Sequence, residues 1–252
     1  MPVGGVEFYF ITIIAVLLLG LGKGGFSGVG LLSLPLMALV LSPLDAAAIM
    51  LPILLMQDAV GVWAYRKTWD GRSLLILLPS AIVGILVGFL LVARISDSAI
   101  ELSIGLLSIA FGTQQLLERT GLLRVMASKP GVVPGLVCGA CGGFASMLAQ
   151  AGGPPVQVFL QLQRLERNVY VGTLAMFFAA TNLVRLPAFL ALGSITEARA
   201  LVSISLFPVA VAASALGIYL VRRTSGTTFY LVVNGLLVLV GIKLAFDGYS
   251  GL

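Results

Sequence analysis

Gly20-Leu21-Gly22-Lys23-Gly24-Gly25-Phe26-Ser27-Gly28-Val29-Gly30 interrupts an apolar opening, with residues 8–19 before it and 31–41 after it. Six glycines in these eleven residues disfavour a continuous helix, since each costs about 1 kcal/mol relative to Ala. Lys23 sits inside the break with no carboxylate within ten residues. A lysine at membrane depth costs about 2.5–3.5 kcal/mol, so it needs a partner or a wet cavity. Broken backbone at that depth survives only where it lines a cavity or is buried in protein. Two readings follow. Lys23 is solvated in a cytoplasmic loop, or it stands beside the backbone N–H groups of Gly24, Gly25, Phe26 and Ser27 as an anion site.

The rest of the composition places this break in a bilayer. The chain has 252 residues, 59% hydrophobic and 10% charged, with mean hydropathy +1.10. Soluble domains carry about 25% charged residues. An all-α integral membrane protein follows, and apolar segments leave no room for a soluble domain. The net charge of +5 is therefore read loop by loop for orientation and predicts no nucleic-acid partner. The absence of His removes imidazole metal ligands, His proton relays and His-based triads. No catalytic residue, metal site or cofactor is predicted. The N-terminus lacks a basic region and a small-residue cleavage site, so the first segment is expected to stay in the membrane. Cys138 and Cys141 lie in a Gly-rich apolar run, where small packing residues fit better than a dithiol switch.

Apolar runs bounded by charge, Gly or Pro give about ten segments: 6–20, 31–41, 46–65, 74–93, 99–117, 132–149, 154–162, 170–192, 200–221 and 229–246. A spanning helix needs roughly 20 residues. The second and seventh are too short, so each reads as half of a broken helix or one arm of a re-entrant hairpin. The chain also repeats itself. Gly24-Gly25-Phe26-Ser27 resembles Gly142-Gly143-Phe144-Ala145-Ser146, each followed by proline. Pro79, Gly88 and Arg94 share their spacing with Pro208, Gly217 and Arg223. Two transmembrane repeats, 1–117 and 132–252, joined by a cytoplasmic loop over 118–131, are predicted. Five segments per repeat is odd, so the halves are expected to be inverted, each with a Gly-broken short segment near its start. With the 118–131 loop inside, ten cations also fall inside: Arg66, Lys67, Arg72, Arg119, Arg124, Lys129, Arg164, Arg167, Arg222 and Arg223. Only Arg94, Arg199 and Lys243 fall outside. This positive-inside pattern puts both termini outside. Inverted repeats with interrupted short segments point to a secondary transporter whose site lies where the breaks meet.

Lys23 and Arg185 remain at membrane depth, with Asp58 as the one acid there. Asp58 serves as a counter-ion to Lys23 or as a proton carrier. Arg185 snorkels to the outer interface or faces inward. Gln57 adjoins Asp58. Gln150, Gly152, Gly153 and Gln157 surround the second break, and Gln161 shares a helical face with Gln157. Asn182 lies one turn before Arg185. More positive than negative charge, with amide donors, favours a small anion.

Gly22-Lys23-Gly24-Gly25-Phe26, Leu51-Pro52 with Gln57-Asp58, Trp63-Ala64-Tyr65-Arg66-Lys67-Thr68-Trp69-Asp70 and Asn182-Leu183-Val184-Arg185-Leu186-Pro187 resemble the sulfite exporter TauE/SafE family. The resemblance covers most of the chain. It implies a bacterial inner-membrane permease for sulfite or small organosulfonates, usually exporting them; alternating access between the two halves is the mechanism the interrupted repeats lead us to expect. The family often has lysine where this chain has Arg185, whose planar fork suits two oxygens of an oxyanion. An anion channel of the same architecture and a permease for another small anion, such as a carboxylate, are the competing readings. An enzyme is not expected. The lipid bilayer and a small anion are the predicted partners. Gly84, Gly88, Ala213 and Gly217 allow close helix packing within the chain or in a homodimer.

Overall fold

The computed structural model describes residues 6–23, 28–122, 131–221 and 227–252. Gly24, Gly25, Phe26 and Ser27, and the cations Arg124, Lys129, Arg222 and Arg223, lie outside the described residues. Among those described, the protein is all α-helix apart from one short 3-10 turn, Val29–Leu32. The first half carries α1 (Val6–Lys23), α2 (Ser33–Ala38), α3 (Pro43–Tyr65), α4 (Gly71–Val92) and α5 (Asp97–Arg119). The second carries α6 (Val132–Ala149), α7 (Gly153–Leu162), α8 (Arg167–Ala191), α9 (Glu197–Ser205), α10 (Phe207–Val221) and α11 (Thr227–Ser250).

Two elements differ from the sequence expectation. The first helix does not stop at Gly20 but runs on to Lys23, because Gly20 and Gly22 are used for close approach. A methyl group on Gly20 would strike Ala213, and one on Gly22 would lie 2.9 Å from the Gly30 nitrogen. The segment 200–221 is two helices, α9 and α10, bent by 46°. Six described helices are long and apolar enough to cross a membrane, or seven with that bent pair as one span. The protein is thus a multi-pass membrane protein.

Helix starts follow the local sequence. Ser42, Asp70, Ser96 and Thr196 cap α3, α4, α5 and α9, each side-chain oxygen accepting from a backbone N–H three residues on. The packing is reciprocal between halves. Helix α4 lies along α6, and α10 lies along α1; α8 packs on α4, and α3 packs on α10. Helix α3 also packs against α8, and α5 against α11. Small residues allow the closest of these contacts. A methyl on Gly84 would land on the Ala140 carbonyl, and one on Gly143 on the Ala81 carbonyl. Gly217 approaches Gly20 in the same way, and Gly88 approaches Met147. Gly84, Gly88, Ala213 and Gly217 are therefore all engaged within the chain.

Apolar side chains face outward as well as inward. Leu75, Val83, Leu86, Val87 and Leu90 of α4 and Leu239, Ile242 and Phe246 of α11 are exposed, as a lipid-facing surface requires. Trp63 and Trp69 are exposed beside Arg66, whose guanidinium lies 5.1 Å from the Trp63 ring centre. They form an aromatic belt with a basic anchor. The largest apolar core joins α1, α2 and the first half of α3 to Phe189, Val202 and Ala210.

Close packing at Gly143 is expected to be sensitive to one carbon. G143A should lower stability by about 1–3 kcal/mol through overpacking. G235A should be close to neutral, since a methyl there meets nothing within 4 Å. Thermal unfolding of both variants in detergent measures the difference.

Candidate functional site

Helix α3 is continuous through Pro52, and it carries Gln57 and Asp58 into the interior on its last third. Both are buried. Helix α8 passes alongside. Its residues Val171, Leu174, Ala175, Phe178, Asn182 and Arg185 recur at three- and four-residue steps, so they share one face. That face lines a cavity of about 110 Å³.

The two interrupted segments reach the same cavity. Gly22, Lys23, Gly28, Gly30 and Leu31 contribute from the first half, and Ser146, Gln150, Gly153 and Gln157 from the second. Lys23 ends α1, where helix carbonyls favour a cation. Gln150 ends α6 in a left-handed conformation at φ 52° and ψ 25°, which costs a non-glycine residue roughly 1–2 kcal/mol. Its amide nitrogen donates to the Ala47 carbonyl at 3.3 Å, which fixes its orientation. Its oxygen Oε1 is buried without a partner.

A chain of polar side chains runs across the interior. Lys23 Nζ forms an ion pair with Asp58 Oδ1. Asn182 Nδ2 donates to Asp58 Oδ2 at 2.7 Å, and Arg185 Nη1 donates to Asn182 Oδ1 at 3.0 Å. Lys23 Nζ lies 4.9 Å from the centre of the Phe178 ring, and Arg185 Cζ lies 5.4 Å from that of Phe189. Cations over aromatic faces are attracted by the ring quadrupole. Arg185 is 1% exposed and leads the fully buried side chains in volume. It does not snorkel, because a helical side chain leans toward its own N-terminus and here meets Asn182 three residues back. Arg185 Nε and Nη2 are buried with no partner among the described residues. Two cations and one carboxylate share this interior cluster, an excess of one positive charge.

The structure brings Lys23, Gln150, Gly153, Gln157, Asn182 and Arg185 to one cavity, with Asp58 bonded to Lys23 and Asn182 behind it. Gln57 and Gly152 do not line it. Gln57 donates to the Val16 and Ala210 carbonyls at 3.3 and 3.5 Å, stapling α3 to α1 and α10. Gly152 packs against the Gly142 carbonyl and the Ser146 hydroxyl. Sequence reasoning missed Phe178, Tyr170 and the apolar wall of Leu54 and Leu174. The signal for Phe178 was present, since it lies four residues before Asn182 and seven before Arg185 on one helical face.

The chain is an all-helical, multi-pass membrane protein with a buried, net-cationic cluster beside a small interior cavity. The chain belongs to the family described as sulfite exporter TauE/SafE, a family of membrane transporters, whose model matches residues 12–244. No curated protein and no solved structure matched the chain.

Removing one member of the ion pair should be far more harmful than removing both. K23M leaves Asp58 charged and uncompensated and is expected to cost about 3–5 kcal/mol. The K23M/D58N double variant should recover most of that loss. Comparing the unfolding free energies of the two variants with wild type in detergent tests the coupling.

Proposed function

We propose that this protein exports a small sulfur oxyanion, sulfite or an organosulfonate, across the bacterial inner membrane by alternating access. The observation that carries the reading is Arg185. It is a fully buried guanidinium with no carboxylate in direct contact among the described residues, and two of its nitrogens, Nε and Nη2, have no partner among them. An unmatched buried cation is costly unless something negative completes it. Nε–H and Nη2–H point in parallel from one edge of a planar fork, which suits two oxygens of one anion. The cavity supplies further polar groups from Lys23, Gln150 and Asn182 at one part and an apolar wall of Leu19, Leu31, Leu54, Leu174 and Phe178 elsewhere. Its volume of about 110 Å³ matches a small solute.

The reciprocal packing supports the inverted-repeat reading. Exchanging α1 with α6, α3 with α8 and α4 with α10 maps each major helix pair onto another or onto itself. Lys23 and Asp58 come from the first half and Asn182 and Arg185 from the second, so the site straddles the two. Rocking one half against the other would then expose it alternately. The excess of loop cations on one side favours cytoplasmic placement of the 118–131 loop and periplasmic termini.

Purified protein in liposomes should give sulfite flux that saturates and shows counterflow; linear flux without counterflow would indicate a channel instead. R185M should lower the transport efficiency by at least about 30-fold, the scale of losing a buried charge-assisted contact. R185M transport equal to wild type would remove Arg185 from the site.

A further inference from the structure

We propose that Asp58 is the resident anion of this site: its carboxylate occupies the donors that the solute must take over, so that removing its charge strengthens binding of the solute. The inference rests on the anion-carrier reading above and specifies how its site is regulated.

Both oxygens of the carboxylate are engaged. Oδ1 holds Lys23 Nζ, and Oδ2 accepts from Asn182 Nδ2 at 2.7 Å. The Asn182 amide cannot reverse without loss, because its Oδ1 accepts from Arg185 Nη1 at 3.0 Å. The carboxylate therefore takes the place of an oxyanion. It is bound by one ammonium directly and by one guanidinium through an amide. Lys23, Asn182 and Arg185 all line the cavity, so a solute entering there meets donors already committed to Asp58.

The groups around Asp58 support a single competition. Lys23 faces it from α1, and Asn182 and Arg185 from α8. Gln57, its neighbour on α3, is turned to the Val16 and Ala210 carbonyls. Helix α2 has no titratable side chain, and the only one of α10 is Tyr219, which is exposed. Arg199 of α9 is bound to Asp45 near the other end of α3 at 2.6 Å. The carboxylates of α5, Asp97, Glu101 and Glu118, lie in its end turns. No second carboxylate bonds to Lys23 or Arg185 among the described residues.

The charge balance gives the direction of coupling. With Asp58 ionised, the cluster carries one excess positive charge. With Asp58 replaced by a neutral side chain, it carries two, and Lys23 is released toward the cavity. An anion thus binds more tightly once the carboxylate charge is gone. The same carboxylate joins Lys23 of the first half to Asn182 of the second. Its neutralisation therefore also loosens a tie between the halves.

The test measures binding of methanesulfonate, a permanent anion at neutral pH, to the full-length protein in detergent by calorimetry. At about pH 8, D58N should bind about tenfold more tightly than wild type. D58N binding that is equal to or weaker than wild type overturns the proposal. If D58N fails to fold, D58S is compared in the same way, and binding equal to or weaker than wild type overturns it. If neither methanesulfonate nor sulfite binds wild type at any pH, the anion-carrier reading itself fails, a separate result.

Discussion

One buried carboxylate organises the interior of this protein. Asp58 is surrounded by apolar helices, where an unpaired charge would be prohibitively unstable. Its two oxygens reach a cation on α1 and an amide on α8. Satisfying it therefore draws together α1, α3 and α8, and through Asn182 it also anchors Arg185. The low dielectric that makes these charges costly when alone also strengthens each contact once made. In a membrane protein the lipid gives no hydrophobic drive between helices, so such polar contacts and close packing carry the association. Here the polar contacts lie at the centre and the close packing at the flanks. Gly143 against Ala81 and Gly20 against Ala213 are examples of the latter.

The same balance leaves the cluster incompletely satisfied. A perfectly neutralised cluster would be a structural staple only. Among the described residues, this one leaves a guanidinium with two unpartnered nitrogens and the unpartnered oxygen Oε1 of Gln150. Such groups are rare in folded interiors because each loses its hydration without replacement. Helix α6 also ends in a strained left-handed residue at Gln150. Incomplete satisfaction and local strain coincide where α1, α6 and α8 meet at the cavity.

Much of the architecture was legible in the linear chain because lipid imposes strong rules on it. Apolar length located the long helices, six or seven of which are apolar enough to cross a membrane. The Gly-rich stretch with Lys23 pointed to a place on the chain that lines the cavity. Its boundary was misjudged, since glycine in a helix can weaken it or allow a second backbone to approach. At Gly20 and Gly22 the approach of Ala213 and Gly30 outweighs the propensity loss. The kink between α9 and α10 had no comparable signal. Gln57 looked like a ligand residue because it is polar and deep, yet its amide serves backbone carbonyls of α1 and α10. Polarity at depth reports that a partner is needed, not which partner is found.

By itself the sequence determined that this is a helical membrane protein with two isolated cations and one acid at depth. Hydropathy and charge act residue by residue and are additive enough to be read without coordinates. Only the tertiary structure decided how those charges combine. Asp58 could have met Lys23 alone, Arg185 alone or a proton, and a one-dimensional spacing of 35 residues to Lys23 and 124 to Asn182 distinguishes none of these. The crossing of α3 and α8 beside the end of α1 sets the outcome, because hydrogen bonds act over about 3 Å and depend on which helix faces meet.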